Sequence, residues 1–149
     1  MKTARDRTVL ALAALVVLQV LHLLDELRAY SADLGETVLR PQPILGVGGT
    51  VLALVAVRRG AAIGRPLALV AAGVIALGFV LSHGIPVESA RTKPYWGDGS
   101  ADVVQWLGFI LILATCATTA VFARRLPRRR ASPAAASPAA LKKPHTKGC

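Results

Sequence analysis

Charge is scarce in this chain: only 17% of its 149 residues are Asp, Glu, Lys or Arg, where a soluble domain carries about a quarter. The charges that exist lie in blocks between long uncharged runs, which excludes a water-soluble globule and a mainly disordered chain. Cysteine is nearly absent, with Cys116 inside an apolar run and Cys149 at the last position. Without a Cys-x-x-Cys the chain is no thiol-redox enzyme of the quinone-coupled four-helix type, and a cysteine in that last place makes no prenylation box. Asparagine does not occur at all, and Ala, Arg, Gly and Pro are abundant. Such usage suggests GC-rich coding and hence a bacterial plasma membrane. A P-loop, a Rossmann glycine fingerprint, a serine-hydrolase elbow and a His-Glu-x-x-His are all missing.

What is abundant is apolar sequence, at 54% of residues with a mean hydropathy of +0.53. A bilayer core about 30 Å thick takes roughly 20 helical residues. Four runs meet or approach that length: Thr8 to Leu24, Pro41 to Val57, Ile63 or Pro66 to Ser82, and Val103 to Ala123. The chain therefore reads as an all-α, four-transmembrane-helix bundle over residues 1–123, with spans at about 8–24, 41–57, 63–82 and 103–123. The length leaves no room for a second folded unit. Lys2, Arg5 and Arg7 ahead of the first run resemble a secretory signal, with Ala29-Tyr30-Ser31 as a cleavage-like triplet. The run is longer than a signal core and is followed at once by His22, Asp25 and Glu26, so retention as a span is expected.

The formal net charge of +10 would suit nucleic acid if it were gathered on one face, but it is not. Basic residues prefer the cytoplasmic side of short loops. With both termini cytoplasmic, 14 of the 18 Lys and Arg lie inside: Lys2, Arg5 and Arg7, then Arg58, Arg59 and Arg65, and the rest beyond Ala123. Arg124 to Cys149 is Arg-, Pro-, Ala-, Ser- and Lys-rich without apolar periodicity, and is expected to be a disordered basic cytoplasmic tail attracted to anionic lipid. The lipid bilayer is the expected partner. A second membrane protein or another copy of the chain is the other candidate, and no nucleic acid is expected.

Lipid is as apolar as leucine, so spans must associate by close packing and interhelical hydrogen bonds. Ala68, Ala72 and Ala76, with Gly78 and Ser82, offer one small-residue strip on the third span, and Gly46, Gly49 and Ala53 another on the second. Tyr95, Trp96 and Trp106 are placed as interfacial anchors.

The topology sends the C-terminal ends of the first and third spans to one leaflet, and both ends carry histidine. At 100° per residue Gln19, His22 and Glu26 share an arc of about 60°, with Asp25 beside it. Such a stripe faces the bundle interior or a wet crevice, because lipid penalises it. His83, with Glu88 beyond it, comes from the third span, and Asp102 and Gln105 open the fourth at the same level. Imidazole and carboxylate suit zinc, iron or manganese, so His22, Asp25, Glu26 and His83 are the candidate metal or polar-ligand residues, and a divalent metal is the cofactor they suggest. Gln19, Glu88, Asp102 and Gln105 are candidate supports. The same groups suit acid/base chemistry on a lipid-like substrate, since histidine titrates near neutrality. A third reading has the stripe satisfied by a partner helix, making the chain an accessory subunit. Small multidrug transporters also have four spans, but the first span here lacks a mid-membrane acid.

His22-Leu23-Leu24-Asp25-Glu26 resembles the defining box of the HXXEE-domain family of small membrane proteins, with Asp25 in place of its first Glu and His83 as the later histidine. Where that family carries Tyr-x-Pro-Gly, this chain has only Pro94-Tyr95-Trp96-Gly97. The resemblance implies a membrane location and brings no established activity with it.

Overall fold

The computed structural model describes residues 3–30, 41–85, 95 and 101–127, and among them the regular structure is entirely helical. Helix α1 is Ala4–Tyr30, α2 Pro41–Arg59, α3 Gly64–Phe79 and α4 Val103–Arg124; α3 runs on without a break into a π turn, Val80–Gly84. Three of these stretches, Ala4–Arg28, Gly64–Gly84 and Val103–Arg124, are long and apolar enough to cross a membrane. Helix α2 is 19 residues long, with a Pro-Gln-Pro start and an Arg58-Arg59 end.

The boundaries of α2, α3 and α4 fall within a few residues of those expected, whereas α1 is longer at both ends. Asp25, Glu26 and Arg28, expected in a loop, are helical. At the N-terminus Thr3 and Asp6 form a reciprocal cap: the Thr3 amide donates to Asp6 Oδ2 at 3.0 Å and the Asp6 amide to Thr3 Oγ1 at 3.2 Å. At the other end Arg28 pairs with Asp25 three residues back, and a cation near a helix C-terminus is favoured by the dipole. Together these carry the helix past the apolar run in both directions.

Between α2 and α3 the chain turns sharply. Gly60 adopts φ +68°, and Ala61 and Gly60 donate their amides to the carbonyls of Ala56 and Val57 at 2.9 and 3.0 Å. This pairing closes a helix with a left-handed residue that only glycine adopts cheaply.

Helix α1 packs against α2 and α4, and α3 against the same two. Contacts at the ends set the directions. Arg5 near the start of α1 meets Val57 near the end of α2, and Arg65 at the start of α3 meets Leu126 just past α4. At the opposite end Arg28 of α1 meets Asp102 at the start of α4. The helices thus alternate up and down, with α1 and α3 parallel.

Two apolar layers fill the interior. Leu12, Ala53, Val57, Ala68, Ala71 and Ala123 form the one nearer the α2–α3 turn. Leu15, Ala72, Ile75, Ile112 and Cys116 form the next. Alanines make up most of the first layer, where they let backbones approach, while Leu15, Ile75 and Ile112 fill the second, and many other large aliphatics point out: Leu45 is 72% exposed and Leu77 60%. That inside-out distribution suits a lipid surround, where burying leucine gains little over leaving it among acyl chains.

Of the glycines expected to line the packing strips, Gly49 and Gly78 have open space where a side chain would go. Gly46, on the same expected strip, does meet a neighbour, since an added Cβ would lie 3.0 Å from Gln19 Oε1, and Gly64, outside the strips, makes another close approach. Helical periodicity alone places small residues on a face without showing whether a neighbour comes near that point of it.

One buried polar atom among the described residues, Thr119 Oγ1, has no hydrogen-bond partner. Thr115 and Thr118 return their hydroxyls to carbonyls four residues back, at 2.7 and 2.8 Å, and Thr119 does not. An apolar residue of equal shape at such a place is neutral or better. Thr119→Val is therefore expected to leave stability unchanged or raise it by up to about 1 kcal/mol, read by thermal unfolding in detergent. A clear fall in the midpoint would show that the hydroxyl does useful bonding.

Candidate functional site

Beyond the second apolar layer the interior becomes polar. Gln19 is buried and donates through Nε2 to Thr50 Oγ1 of α2 at 3.1 Å, and Thr50 in turn donates to the Gly46 carbonyl at 2.7 Å. This is an interhelical bond of the kind worth on average about 0.6 kcal/mol within a bilayer. Thr50 offered no periodic signal in the sequence and was not anticipated.

One turn further along α1 lie His22 and Glu26, on the face that Gln19 begins. His22 Nε2 is 3.6 Å from Glu26 Oε1, and the side chains are 10% and 28% exposed. From α3 comes His83, its Nε2 4.0 Å from the same carboxylate oxygen and its side chain 8% exposed. One ligating atom from each of the three lies within 4.8 Å of both others. The imidazoles meet edge to face with centroids 5.2 Å apart.

The π turn helps bring His83 here. The buried stripe of α3 passes through Gly64, Ala68, Ala71, Ala72 and Ile75, and in a regular α-helix a step of four overshoots one turn by about 40°. Widening the turn to i→i+5 bonding reduces the rotation per residue and keeps His83 near the line of the stripe. Such bulges recur at functional sites.

Aromatic rings hold both histidines. Phe79, one turn before His83, has its ring 4.7 Å from that of His22 and 5.6 Å from that of His83. Tyr95 stacks on His83 at 4.5 Å, and its backbone amide donates to the His83 carbonyl at 3.1 Å. Trp106 and Phe109 of α4 meet Tyr95 edge to face at 5.6 and 6.0 Å. The expectation that Tyr95 anchors at the interface is therefore corrected: it is 5% exposed and forms the wall behind His83. Phe79 was legible, being one turn from His83 on one helix. Tyr95 was not, since it arrives through a long connection whose path periodicity does not set. Trp96 lies outside the described residues.

The other candidates are placed differently. Asp25 faces Arg28, whose Nε and Nη2 donate to its Oδ1 at 3.0 and 2.8 Å, and the same guanidinium reaches Asp102 Oδ2 at 3.1 Å. Asp102 also caps α4, accepting from the Gln105 amide at 2.9 Å while Gln105 Oε1 accepts from the Asp102 amide at 3.1 Å. Asp25, Asp102 and Gln105 thus form a polar rim joining α1 to α4, apart from the triad. Glu88 lies outside the described residues.

The Gln105 amide first, and Arg28 second, hold the Asp102 carboxyl below the usual carboxylate value. A carboxylate whose pKa falls on folding stabilises fully above its unfolded value, and that contribution fades as pH drops through the lowered one. Acidification below about pH 4 is accordingly expected to loosen the α1–α4 rim, measured as faster amide exchange at Val104 and Gln105, and Asp102→Ala should remove this acid dependence.

Three ligating groups suit a small cation. Bonds of about 2.0–2.1 Å in a tetrahedron put ligand atoms about 3.4 Å apart. The two histidine–carboxylate separations of 3.6 and 4.0 Å lie close to that, so side-chain rotations of a fraction of an ångström to about one would close the site. Two imidazoles and one carboxylate leave a coordination position open, and this donor set suits zinc, iron or manganese more than calcium or magnesium. Comparisons with protein-family models, with curated proteins and with solved structures found no match for this chain.

Proposed function

We propose that this chain is a small integral membrane protein that crosses a bacterial plasma membrane four times, with both termini cytoplasmic, and binds a divalent transition-metal ion through His22, Glu26 and His83 at its outer leaflet. The observation that carries the metal is the convergence of three ligating atoms from two helices to within 4.8 Å. Side chains this costly to surround with lipid are kept in an apolar bundle by a partner, and a cation is one that both imidazoles and the carboxylate can share. Three apolar stretches support the membrane reading directly. For the fourth, 19 residues of α2 reach about 29 Å, close to the thickness of the hydrocarbon core. The alternation of helix directions and the positively charged segments at one end support the orientation. The resemblance of the His-Leu-Leu-Asp-Glu box to HXXEE-domain proteins agrees with a membrane setting.

The test is metal content. Full-length chain purified in mild detergent and dialysed against trace zinc, manganese or iron(II) is expected to retain one equivalent of ion per chain, counted by elemental analysis. Retention of none, with no heat of binding on titration, would exclude the metal.

A further inference from the structure

At the end of the bundle remote from the triad a cleft of about 250 Å³ opens between the start of α1, the α2–α3 turn and the chain just past α4. For scale, one water in the liquid occupies about 30 Å³. Among the described residues Arg5 and Arg65 line it and no acidic residue does, and Gly60, Ala62 and Gly64 line it without bulky side chains. Asp6, the acid nearest in sequence, pairs with Thr3.

Each guanidinium is fixed by backbone. Arg5 Nε donates to the Val57 carbonyl at 3.0 Å and its Nη2 to the Arg58 carbonyl, while Arg65 Nη1 donates to the Leu126 carbonyl at 3.4 Å. These bonds go to carbonyls in the last turn of α2 and just past the end of α4. A guanidinium carries five N–H donors in a rigid fork, so both arginines keep further donors after this duty. The N-terminal, positive ends of α1 and α3 lie at the same place. Capping accounts for one side of each fork but not for a cleft in which, among the described residues, two pre-oriented cations meet no acidic side chain. Ile63, between the lining residues Ala62 and Gly64, is 58% exposed and puts an apolar side chain beside the cleft.

From this geometry we infer that the cleft holds the phosphate of an anionic phospholipid headgroup, gripped by Arg5 and Arg65 with the acyl chains lying along the exposed aliphatic flank. Planar forks recognise phosphate oxygens in pairs, and basic pockets between spans on the cytoplasmic side suit such headgroups. The site rests on the chain being membrane-embedded, which carbonate extraction of native membranes tests by itself, and it is independent of the metal at the other end.

The experiment uses full-length chain in detergent, with phosphatidylglycerol, phosphatidylcholine or inorganic phosphate added in turn, read by thermal midpoint and by lipid retention in native mass spectrometry. Phosphatidylglycerol is expected to raise the midpoint and to be retained. Phosphatidylcholine and inorganic phosphate are expected to do neither. Arg5→Gln and Arg65→Gln should each weaken phosphatidylglycerol retention by about fivefold. Because both also remove a carbonyl cap, Ala62→Glu serves as a variant that keeps every cap and sets a negative charge at the cleft, with the same loss expected. Arg59→Gln, on the same end but outside the lining, should retain lipid as the parent does. Equal losses in Arg59→Gln, or full retention in Ala62→Glu, would overturn the site as a diffuse charge effect, and equal stabilisation by inorganic phosphate would overturn the lipid as its occupant.

Discussion

Glu26→Gln is expected to lower the affinity for zinc by more than about 100-fold while leaving the helices in place. Glu26 supplies the oxygen from which both imidazole distances, 3.6 and 4.0 Å, are measured. The amide keeps the shape of the side chain but loses its charge, and loss of a direct ligand should exceed the roughly 10–100-fold cost of an outer-shell partner. His22→Gln and His83→Gln should match it, although the second also removes the ring on which Tyr95 stacks and is expected to lower stability as well. Asp25→Asn separates the metal reading from general electrostatics. Asp25 stands one residue from Glu26 in sequence but turns to Arg28, so its loss should change zinc affinity by no more than a few fold. Affinity should also fall with acidification in the parent chain, because protons compete for the same imidazoles and carboxylate. Isothermal titration in detergent reads all of these, and an Asp25→Asn loss as large as that of Glu26→Gln would argue for a diffuse acidic surface in place of a triad.

Gly64→Ala is expected to be the most damaging single-methyl change in the bundle. An added Cβ would lie 3.0 Å from the Val57 nitrogen and 3.1 Å from the carbonyl carbon and oxygen of Ala56. Those are backbone atoms already engaged in closing the α2–α3 turn, so no flexible side chain can swing aside. Overpacking of this kind costs about 1–3 kcal/mol. Gly49→Ala and Gly78→Ala meet nothing within 4 Å and exchange a poor helix former for the best, a gain of up to about 1 kcal/mol each. Opposite shifts in thermal midpoint within one residue type would identify the turn, rather than small-residue content in general, as the place where close approach matters. A neutral Gly64→Ala would mean that α2 and α3 can separate there at no cost.

Much of the architecture was open to inspection in the sequence, because uncharged length is a coarse property that a bilayer reads coarsely. The ends of α2, α3 and α4 lie near the charges and prolines that flank their apolar runs. The ends of α1 do not, because capping by Thr3 and the Asp25–Arg28 pair continue a helix in which hydropathy has ceased to vote. In the cluster, His22 and Glu26 share a face by simple angular spacing. The arrival of His83 beside them follows from α1 and α3 running the same way, helped by a π turn that no periodic pattern announces. Angular spacing does not choose between Asp25 and Glu26. Adjacent acids are 100° apart on a helix, and which one turns inward depends on where Arg28 and Asp102 stand. Tyr95 lies twelve residues past His83 in sequence, and nothing local to it foretells its burial.

The widened turn at Val80–Gly84 has a bearing on how this protein can vary. A π turn accommodates one more residue than the α turn it replaces, so it behaves as a stored insertion. Removing one residue from a regular helix rotates everything beyond it by about 100°. Removing Leu81 here would instead let the segment relax to ordinary winding, with the His83 ring still aimed roughly where it was. Chain-length variation among related sequences is therefore tolerable at this turn, and the histidine would keep its aim while its position in an alignment slipped by one.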